Sequence, residues 1–221
     1  MKTVLDEIKA KVIDMDIEGV AEVTQKALDE GLSAPEILNQ ALIPAMKAVG
    51  DEYESGERFI PEMLFSANSM KKAMDLLRPL LMKSGVRMKG KVVIGTVEGD
   101  IHDIGLNLVT MMLEGAGFDV YNLGTDVPSE EFVKAAKEQG AELVGMSALL
   151  ATTMLNMPKV IEALSKNGLR DRVKVMIGGA PVSQNYADEI GADGYAADAF
   201  SAVGLAERLQ AELGGKTSAT N

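Results

Sequence analysis

The hydrophobic pattern of the first 84 residues has the period of an α-helix. Apolar side chains recur every three or four positions over residues 5–15 and again over residues 17–27. A capping box at Ser33 opens a third helix, which Pro44 is expected to kink or restart. Pro61 stands in the first turn of a fourth helix. Four striped helices with short connections predict a four-helix bundle.

Further along the chain, short apolar runs alternate with helical stripes. The predicted strands are 92–97, 118–123, 143–147, 173–177 and 194–196. The predicted helices are 104–116, 129–139, 153–167, 183–190 and 199–213. Strands that alternate with helices form right-handed βαβ units and a parallel sheet. The pattern therefore predicts an α/β, flavodoxin-like (Rossmann-like) domain with a five-stranded parallel sheet.

These patterns divide the chain into two predicted domains. Residues 1–88 form the helical domain and residues 89–213 form the α/β domain, with a linker around Gly85–Gly90. Residues 214–221 are polar and glycine-containing, and we expect them to be a disordered tail.

Composition excludes several kinds of site. The chain has no Cys, which excludes disulfides, thiolate metal sites and a cysteine nucleophile. It has one His, so no metal site can use two His side chains of one chain. The net charge of −11 argues against a nucleic-acid or anionic-membrane partner. With no signal peptide and no apolar run long enough to span a membrane, the expected location is the cytoplasm.

The single His lies where a doubly wound sheet binds ligands, in the loop after its first strand. In an extended loop, Asp100 and His102 point to the same side. The carboxylate can then accept one imidazole N–H and turn the other nitrogen outward, as happens behind a metal-ligating His. Gly99 and Gly105 allow the backbone to approach a bulky ligand closely.

Small residues fill the later loops at the same edge of the predicted sheet. Ser147, the pair Gly178 and Gly179, and the run from Ala196 to Ala199 follow three strands. Together they predict a channel rather than a shallow phosphate cradle. Read singly, they could be a surface loop with a hydrogen-bonded His, a Gly-Gly turn and a helix cap. The chain has no Gly-x-Ser-x-Gly elbow, no phosphate-binding loop and no late-strand Lys of a response regulator.

Three of these segments resemble the B12-binding motif Asp-x-His-x-x-Gly … Ser-x-Leu … Gly-Gly. They are Asp-Ile-His-Asp-Ile-Gly at 100–105, Ser-Ala-Leu at 147–149 and Gly-Gly at 178–179. The helical half, with Ile-Pro-Ala-Met at 43–46 and Phe-Ile-Pro-Glu at 59–62, is similar to the cap domain of methionine synthase. The resemblance covers residues 1 to about 213. It is strongest to the cognate corrinoid proteins of methylamine, methanol and aryl-ether methyltransferase systems.

The resemblance implies a corrinoid (cobalamin, as methylcobalamin) bound base-off and His-on. His102 would be the axial ligand of cobalt, with Asp100 and Thr153 as a relay that tunes this ligand. The nucleotide tail would enter the small-residue channel. The implied cofactor-binding residues of the α/β domain are Gly99, Asp100, Ile101, His102, Asp103, Gly105, Ser147, Leu149, Thr153, Gly178, Gly179 and Ala199. Those of the cap are Tyr53, Phe59, Ile60 and Met63, over the methyl-bearing face.

Two positions depart from the family pattern. Ala151 stands where methionine synthase has a Thr, so one hydrogen bond to the tail is missing. Leu106 stands where relatives often have a Lys, so a polar contact is lost there.

The implied function is that of a methyl carrier that is not catalytic alone. Cobalt would accept a methyl group from a substrate-specific methyltransferase and donate it to a second, acceptor methyltransferase. A reductive activator of cobalt(II) is a third expected partner. The helical domain would be a movable cap hinged near residues 85–90. The alternatives are a B12-dependent sensor or regulator, the B12 subunit of an adenosylcobalamin mutase, and an interaction protein without a cofactor.

Overall fold

The computed structural model describes residues 3–84 and 88–217. The chain divides into two compact units, one that holds the first five α-helices and one that holds the sheet. In the described part of the chain, no helix has both the length and the apolar character needed to cross a bilayer.

The helical unit begins with α1 (Val4–Ile13) and α2 (Ile17–Asp29). A third helical segment runs from α3 (Ala34–Ile37) through a π-helical turn (Leu38–Leu42) into α4 (Ile43–Glu54). The last helix is α5 (Ile60–Ser84).

The π-helical turn lies directly before Pro44 and accounts for the predicted interruption. Proline has no N–H, and its ring clashes with the carbonyl four residues earlier. The chain widens here, so that the Ile43 N–H bonds to the Leu38 carbonyl five residues back. Ser33 and Glu36 form the predicted capping box at the start of α3.

The α/β unit contains one parallel sheet with the strand order β2-β1-β3-β4-β5. Its strands are β1 (Lys91–Thr96), β2 (Asp119–Asn122), β3 (Leu143–Ser147), β4 (Lys174–Gly178) and β5 (Gly194–Ala196). Its helices are α6 (Ile104–Gly115), α7 (Ser129–Gln139), α8 (Met157–Lys166), α9 (Gln184–Ile190) and α10 (Ala199–Thr217). This is the flavodoxin-like strand order, and it confirms the predicted fold class.

Most element boundaries agree with the prediction to within one residue, and two differ in a way that matters. The expected helix at 153–167 begins as a short 3₁₀ turn, Met154–Asn156, and becomes α-helical at Met157. Helix α10 continues to Thr217, so the expected tail is wrong for residues 214–217. Glycine weakens a helix but does not by itself end one. Residues 218–221 and residues 85–87 of the predicted linker lie outside the described residues.

The two faces of the sheet are packed differently. One face forms an aliphatic core with α7 and α8, in which Val93, Val144, Val175, Phe132 and Met157 are buried. On the other face, toward α6 and α10, the strands leave a cavity near their carboxyl ends. The loops at that edge carry the single His.

Candidate cofactor site

Asp100 is the centre of a hydrogen-bond network in the loop between β1 and α6. Its side chain is fully buried. Oδ1 accepts from the His102 backbone N–H at 3.0 Å and lies 2.8 Å from His102 Nδ1. Oδ2 accepts from the Leu149 N–H at 2.7 Å and from Thr153 Oγ1 at 2.6 Å. The loops after β1 and β3 are therefore joined through one carboxylate.

These donors keep Asp100 ionised. Burial alone raises the pKa of a carboxyl group because it removes water from the charged form. Here the hydrogen bonds from Thr153, the Leu149 N–H and His102 outweigh burial and hold the pKa of Asp100 well below its usual range. A fixed negative charge thus lies behind the imidazole.

The carboxylate also fixes which nitrogen of His102 is available. An ionised Asp100 can only accept, so Nδ1 carries the proton that it shares with Oδ1. The lone pair is then on Nε2, and 43% of the side chain is exposed. His102 therefore presents an outward-facing nitrogen ligand with a preset tautomer.

Large aliphatic side chains lie exposed on the loops and helix start around this imidazole. They are Ile101, Ile104, Leu149, Leu150 and Leu155. Exposed apolar side chains that cluster around a polar group indicate a binding surface. We call this set the apolar rim. Ile104, Leu150 and Leu155 were not among the predicted site residues.

A second layer of hydrogen bonds holds the His102 loop from behind. Asp126 has a left-handed backbone (φ 56°), and its Oδ1 accepts from the Gly99 N–H at 2.6 Å. The Asp126 N–H in turn donates to the Asp100 carbonyl at 2.8 Å. Asn156 Nδ2 donates to the Glu98 carbonyl at 2.7 Å. Sequence reasoning missed Asp126 and Asn156, since both are common turn residues far from His102 in the chain.

A cavity of about 210 Å³ opens beside this loop, between the sheet and helices α6 and α10. Four of the predicted small residues line it: Gly105, Ser147, Gly178 and Gly179. Ala199 lines it as well, from the start of α10. Leu106 is buried and also lines it.

Glycines let the backbone pack tightly beside this cavity. A Cβ on Gly179 would lie 1.8 Å from the Ala148 carbonyl oxygen, and its φ of +122° is one that other residues rarely adopt. A Cβ on Gly178 would lie 3.0 Å from the Ala196 carbonyl oxygen. A Cβ on Gly105 would meet no atom within 4 Å. The backbone thus packs tightly around Gly178 and Gly179, whereas the space next to Gly105 is open.

The remaining predicted residues lie in different surroundings. Asp103 accepts from Asn107 Nδ2 at 3.1 Å, and Ala151 is exposed. In the helical unit, Phe59 and Ile60 are exposed, Tyr53 is half-buried and Met63 is buried. A contact between these four side chains and a cofactor stays a prediction.

The residues present fit a corrinoid. The cobalt of a corrinoid can bind a nitrogen ligand, and His102 would be the residue that holds it, through Nε2. The corrinoid's flat macrocycle suits the apolar rim, and its nucleotide suits the cavity. Gly179 lines that cavity, and a side chain there would clash with the backbone. Fold and site together define a B12-binding α/β domain that follows a helical domain.

Comparison with known proteins gives the same class. A model of the B12 binding domain matches residues 90–204, and a second B12 binding domain model matches residues 4–78. A corrinoid protein of Desulfitobacterium hafniense is 46% identical over 210 residues, which cover 94% of this chain and 97% of that protein. A trimethylamine corrinoid protein of Methanosarcina acetivorans is 42% identical over 202 residues, covering 90% and 94%.

A solved structure agrees with these relatives. The methanol:cobalamin methyltransferase complex of Methanosarcina barkeri matches with a TM-score of 0.83 at 30% identity, over 94% of this chain and 80% of that chain. The chain therefore belongs to the B12-binding corrinoid proteins, and its cofactor is a corrinoid.

Proposed function

We propose that this protein is a methyl carrier that works between two methyltransferases. When bound, the corrinoid supplies a cobalt centre that can take up and release a methyl group. The observation that carries the proposal is the outward-facing His102, held by a buried carboxylate at the edge of an apolar rim. The relatives that are named for methylamines support the same class of function.

His102 Nε2 is proposed to bind the lower face of the corrinoid, in place of the corrinoid's own base. Asp100 then acts through His102 by keeping the proton on Nδ1. Thr153 acts one step further back, since its hydroxyl donates to the other oxygen of Asp100 at 2.6 Å. Asp100 and Thr153 are thus positioning residues that tune the axial ligand.

The displaced nucleotide is proposed to occupy the cavity beside Ser147, Gly178 and Gly179. The Ser147 hydroxyl makes no hydrogen bond within the described part of the chain, so it is available to a ligand. Leu149 has two roles. Its backbone N–H donates to Asp100, and its exposed side chain belongs to the apolar rim.

The partners proposed here are a substrate-specific methyltransferase, a second acceptor methyltransferase and a reductive activator of cobalt(II). A methyltransferase partner is supported by the structural match to a methanol:cobalamin methyltransferase complex. The helical unit is proposed as the cover of the methyl-bearing face, with Phe59 and Ile60 as its exposed apolar candidates. A Phe59→Ala, Ile60→Ala variant should photolyse its methylated cofactor faster than wild type, whereas Phe65→Ala, a change at an exposed position further along α5, should not.

The test of the methyl-carrier function is a single-turnover assay. The protein is reconstituted with hydroxocobalamin, reduced, and mixed with methylamine:corrinoid and methanol:corrinoid methyltransferases and their substrates. The proposal predicts that at least one of these donors transfers one methyl group per bound cobalt. Visible spectroscopy monitors this transfer. A protein that binds the corrinoid but takes no methyl group from any donor would indicate a sensor or a mutase subunit. A protein that binds no corrinoid would contradict the proposal entirely.

A further inference from the structure

The cavity beside His102 has a polar mouth and an apolar floor. At the carboxyl edge of the sheet, Ser147, Gly178 and Ala196 stand side by side in register. Two residues deeper on the same face, Ile94, Gly145 and Met176 form the next row. Each of these six residues lines the cavity.

The polar side chains of the lining are confined to the mouth. They are Ser147 and Asp198, and Asp198 is exposed and already accepts from the Ser201 N–H at 2.7 Å. The floor is lined by aliphatic or thioether side chains and glycine, among them Ile94, Val109 and Met176.

The backbone adds no free polar group to this floor. Strands β1, β3 and β4 each have a neighbouring strand on both sides, so their N–H and C=O groups are used in the ladders. On the helical side, the Ala202 N–H donates to the Asp198 carbonyl at 3.0 Å. A ligand that reaches the floor therefore meets a surface that offers it no hydrogen-bond partner.

We infer that this floor selects corrinoids whose nucleotide base is a benzimidazole over those whose base is a purine. The inference rests on the proposed function, in which the nucleotide occupies this cavity. The two bases share a five-membered ring and differ in the six-membered ring. That ring is all carbon in a benzimidazole, whereas in adenine it contains two nitrogens and bears an amino group.

The energetic reason is desolvation. Each polar group that leaves water without gaining a partner costs about 1–3 kcal/mol. The adenine ring brings three such groups to the floor, and the benzimidazole ring brings none. We expect the adenine form to bind at least about tenfold more weakly, which corresponds to about 1.4 kcal/mol.

The experiment titrates the full chain without cofactor, using cobalamin and its adenine analogue, which differ only in the base. Dissociation constants come from the visible spectrum. The Met176→Gln variant places an amide on the floor, and Met176→Leu is its apolar control. Comparing the ratio of the two constants between variants cancels any difference between the free corrinoids, such as binding of their own base to cobalt.

The inference predicts that wild type and Met176→Leu share the same preference for cobalamin, and that Met176→Gln lowers it by about tenfold. Ala202→Ser is a smaller change on the α10 side of the cavity and should also lower the preference for cobalamin. It replaces Met176→Gln in the test if that variant does not fold. The same ratio of the two constants in wild type and in both polar variants would overturn the inference while leaving the proposed function intact. Binding of neither corrinoid would overturn the proposed function and the inference with it.

Discussion

The hydroxyl of Thr153 donates to Oδ2 of the buried Asp100 at 2.6 Å, while Oδ1 of the same carboxylate faces His102. A residue 53 positions away in the chain thus determines the environment of the histidine's partner. The hydroxyl also lies 3.0 Å from the Leu150 carbonyl, but its single proton is directed to the shorter contact.

Removing this hydroxyl should destabilise the protein without its cofactor. Thr153→Val keeps the shape and leaves a buried carboxylate with one donor fewer, at a cost of about 1.5–3 kcal/mol in the free energy of unfolding. Urea denaturation measures this loss, and Thr153→Ser, which keeps the donor, should retain most of the stability. A Val variant as stable as wild type would contradict the role of this hydrogen bond.

The sign of the pH dependence follows from the lowered pKa of Asp100. Its stabilisation is fully present above the unfolded-state pKa near 3.8 and is lost only as the pH falls through the lower folded-state pKa. The difference between wild type and Thr153→Val should therefore stay constant from about pH 5 to pH 8. A difference that changes across this range would point to another titrating group.

Asp100 is predicted to set the tautomer of His102. All four contacts of its carboxylate come from donors or from a protonated Nδ1, so Asp100→Asn puts an NH₂ group where an acceptor is needed. With the NH₂ group facing the imidazole, Nδ1 becomes the acceptor and the proton moves to Nε2.

Nitrogen-15 NMR of the cofactor-free protein reads this directly, because the chain contains a single His and every imidazole signal belongs to His102. Couplings to the two ring C–H protons distinguish Nε2, which couples to both, from Nδ1, which couples strongly to one. Wild type should show a protonated Nδ1, and Asp100→Asn should show a larger share of the other tautomer. Asp103→Asn is the matched control, since the Asp103 carboxylate faces Asn107 instead. The same tautomer in wild type and in Asp100→Asn would contradict the predicted role.

Asp126 is predicted to hold the His102 loop from its opposite side. Asp126→Ala loses the acceptor for the Gly99 N–H and puts Ala at a φ of 56°, whereas Asp126→Asn keeps an acceptor and tolerates that conformation. The Ala variant should lose about 1–3 kcal/mol and exchange the Gly99 amide hydrogen faster. Asp126→Gly relieves the backbone strain but does not restore the acceptor. Its Gly99 amide hydrogen should therefore exchange as fast as in the Ala variant. Slow exchange in the Gly variant would contradict the role of Asp126 as a clamp, that is, as the acceptor that holds the Gly99 N–H.

Gly179 is predicted to tolerate no side chain. In Gly179→Ala the new methyl would overlap the Ala148 carbonyl oxygen, so the loops after β3 and β4 must separate and corrinoid binding should be lost. Gly168→Ala is the control: Gly168 also has a positive φ (+68°), but a Cβ there would meet no atom within 4 Å. Its cost should be limited to about 1 kcal/mol of strain. Titration with hydroxocobalamin compares the two variants, and full binding by Gly179→Ala would refute the prediction.

Patterns local in sequence predicted most of the fold. The alternation of strands and helices gave the five-stranded parallel sheet, and Pro44 gave the interruption of the third helix. The pairing of Asp100 with His102 could also be expected, because the two residues are two positions apart in one loop.

Features that depend on contacts between distant segments could not be predicted in this way. The clamp by Asp126 requires knowing that the loop after β2 folds against the loop after β1. Ile104 and Leu155 lie in stretches whose period predicted helices, and their exposure could not be read from that period. Helix α10 runs through Gly214 to Thr217, although the polar composition after residue 213 predicted its end there.

The central claim, that His102 binds cobalt, is tested most directly by electron paramagnetic resonance of the cobalt(II) form. The full chain is loaded with unlabelled cobalamin after growth with either ordinary or nitrogen-15 histidine. If His102 Nε2 is the axial ligand, the superhyperfine splitting is a triplet with ordinary histidine and becomes a doublet with labelled histidine. A triplet that persists in the labelled protein would show that the corrinoid's own base binds the cobalt and would contradict this account.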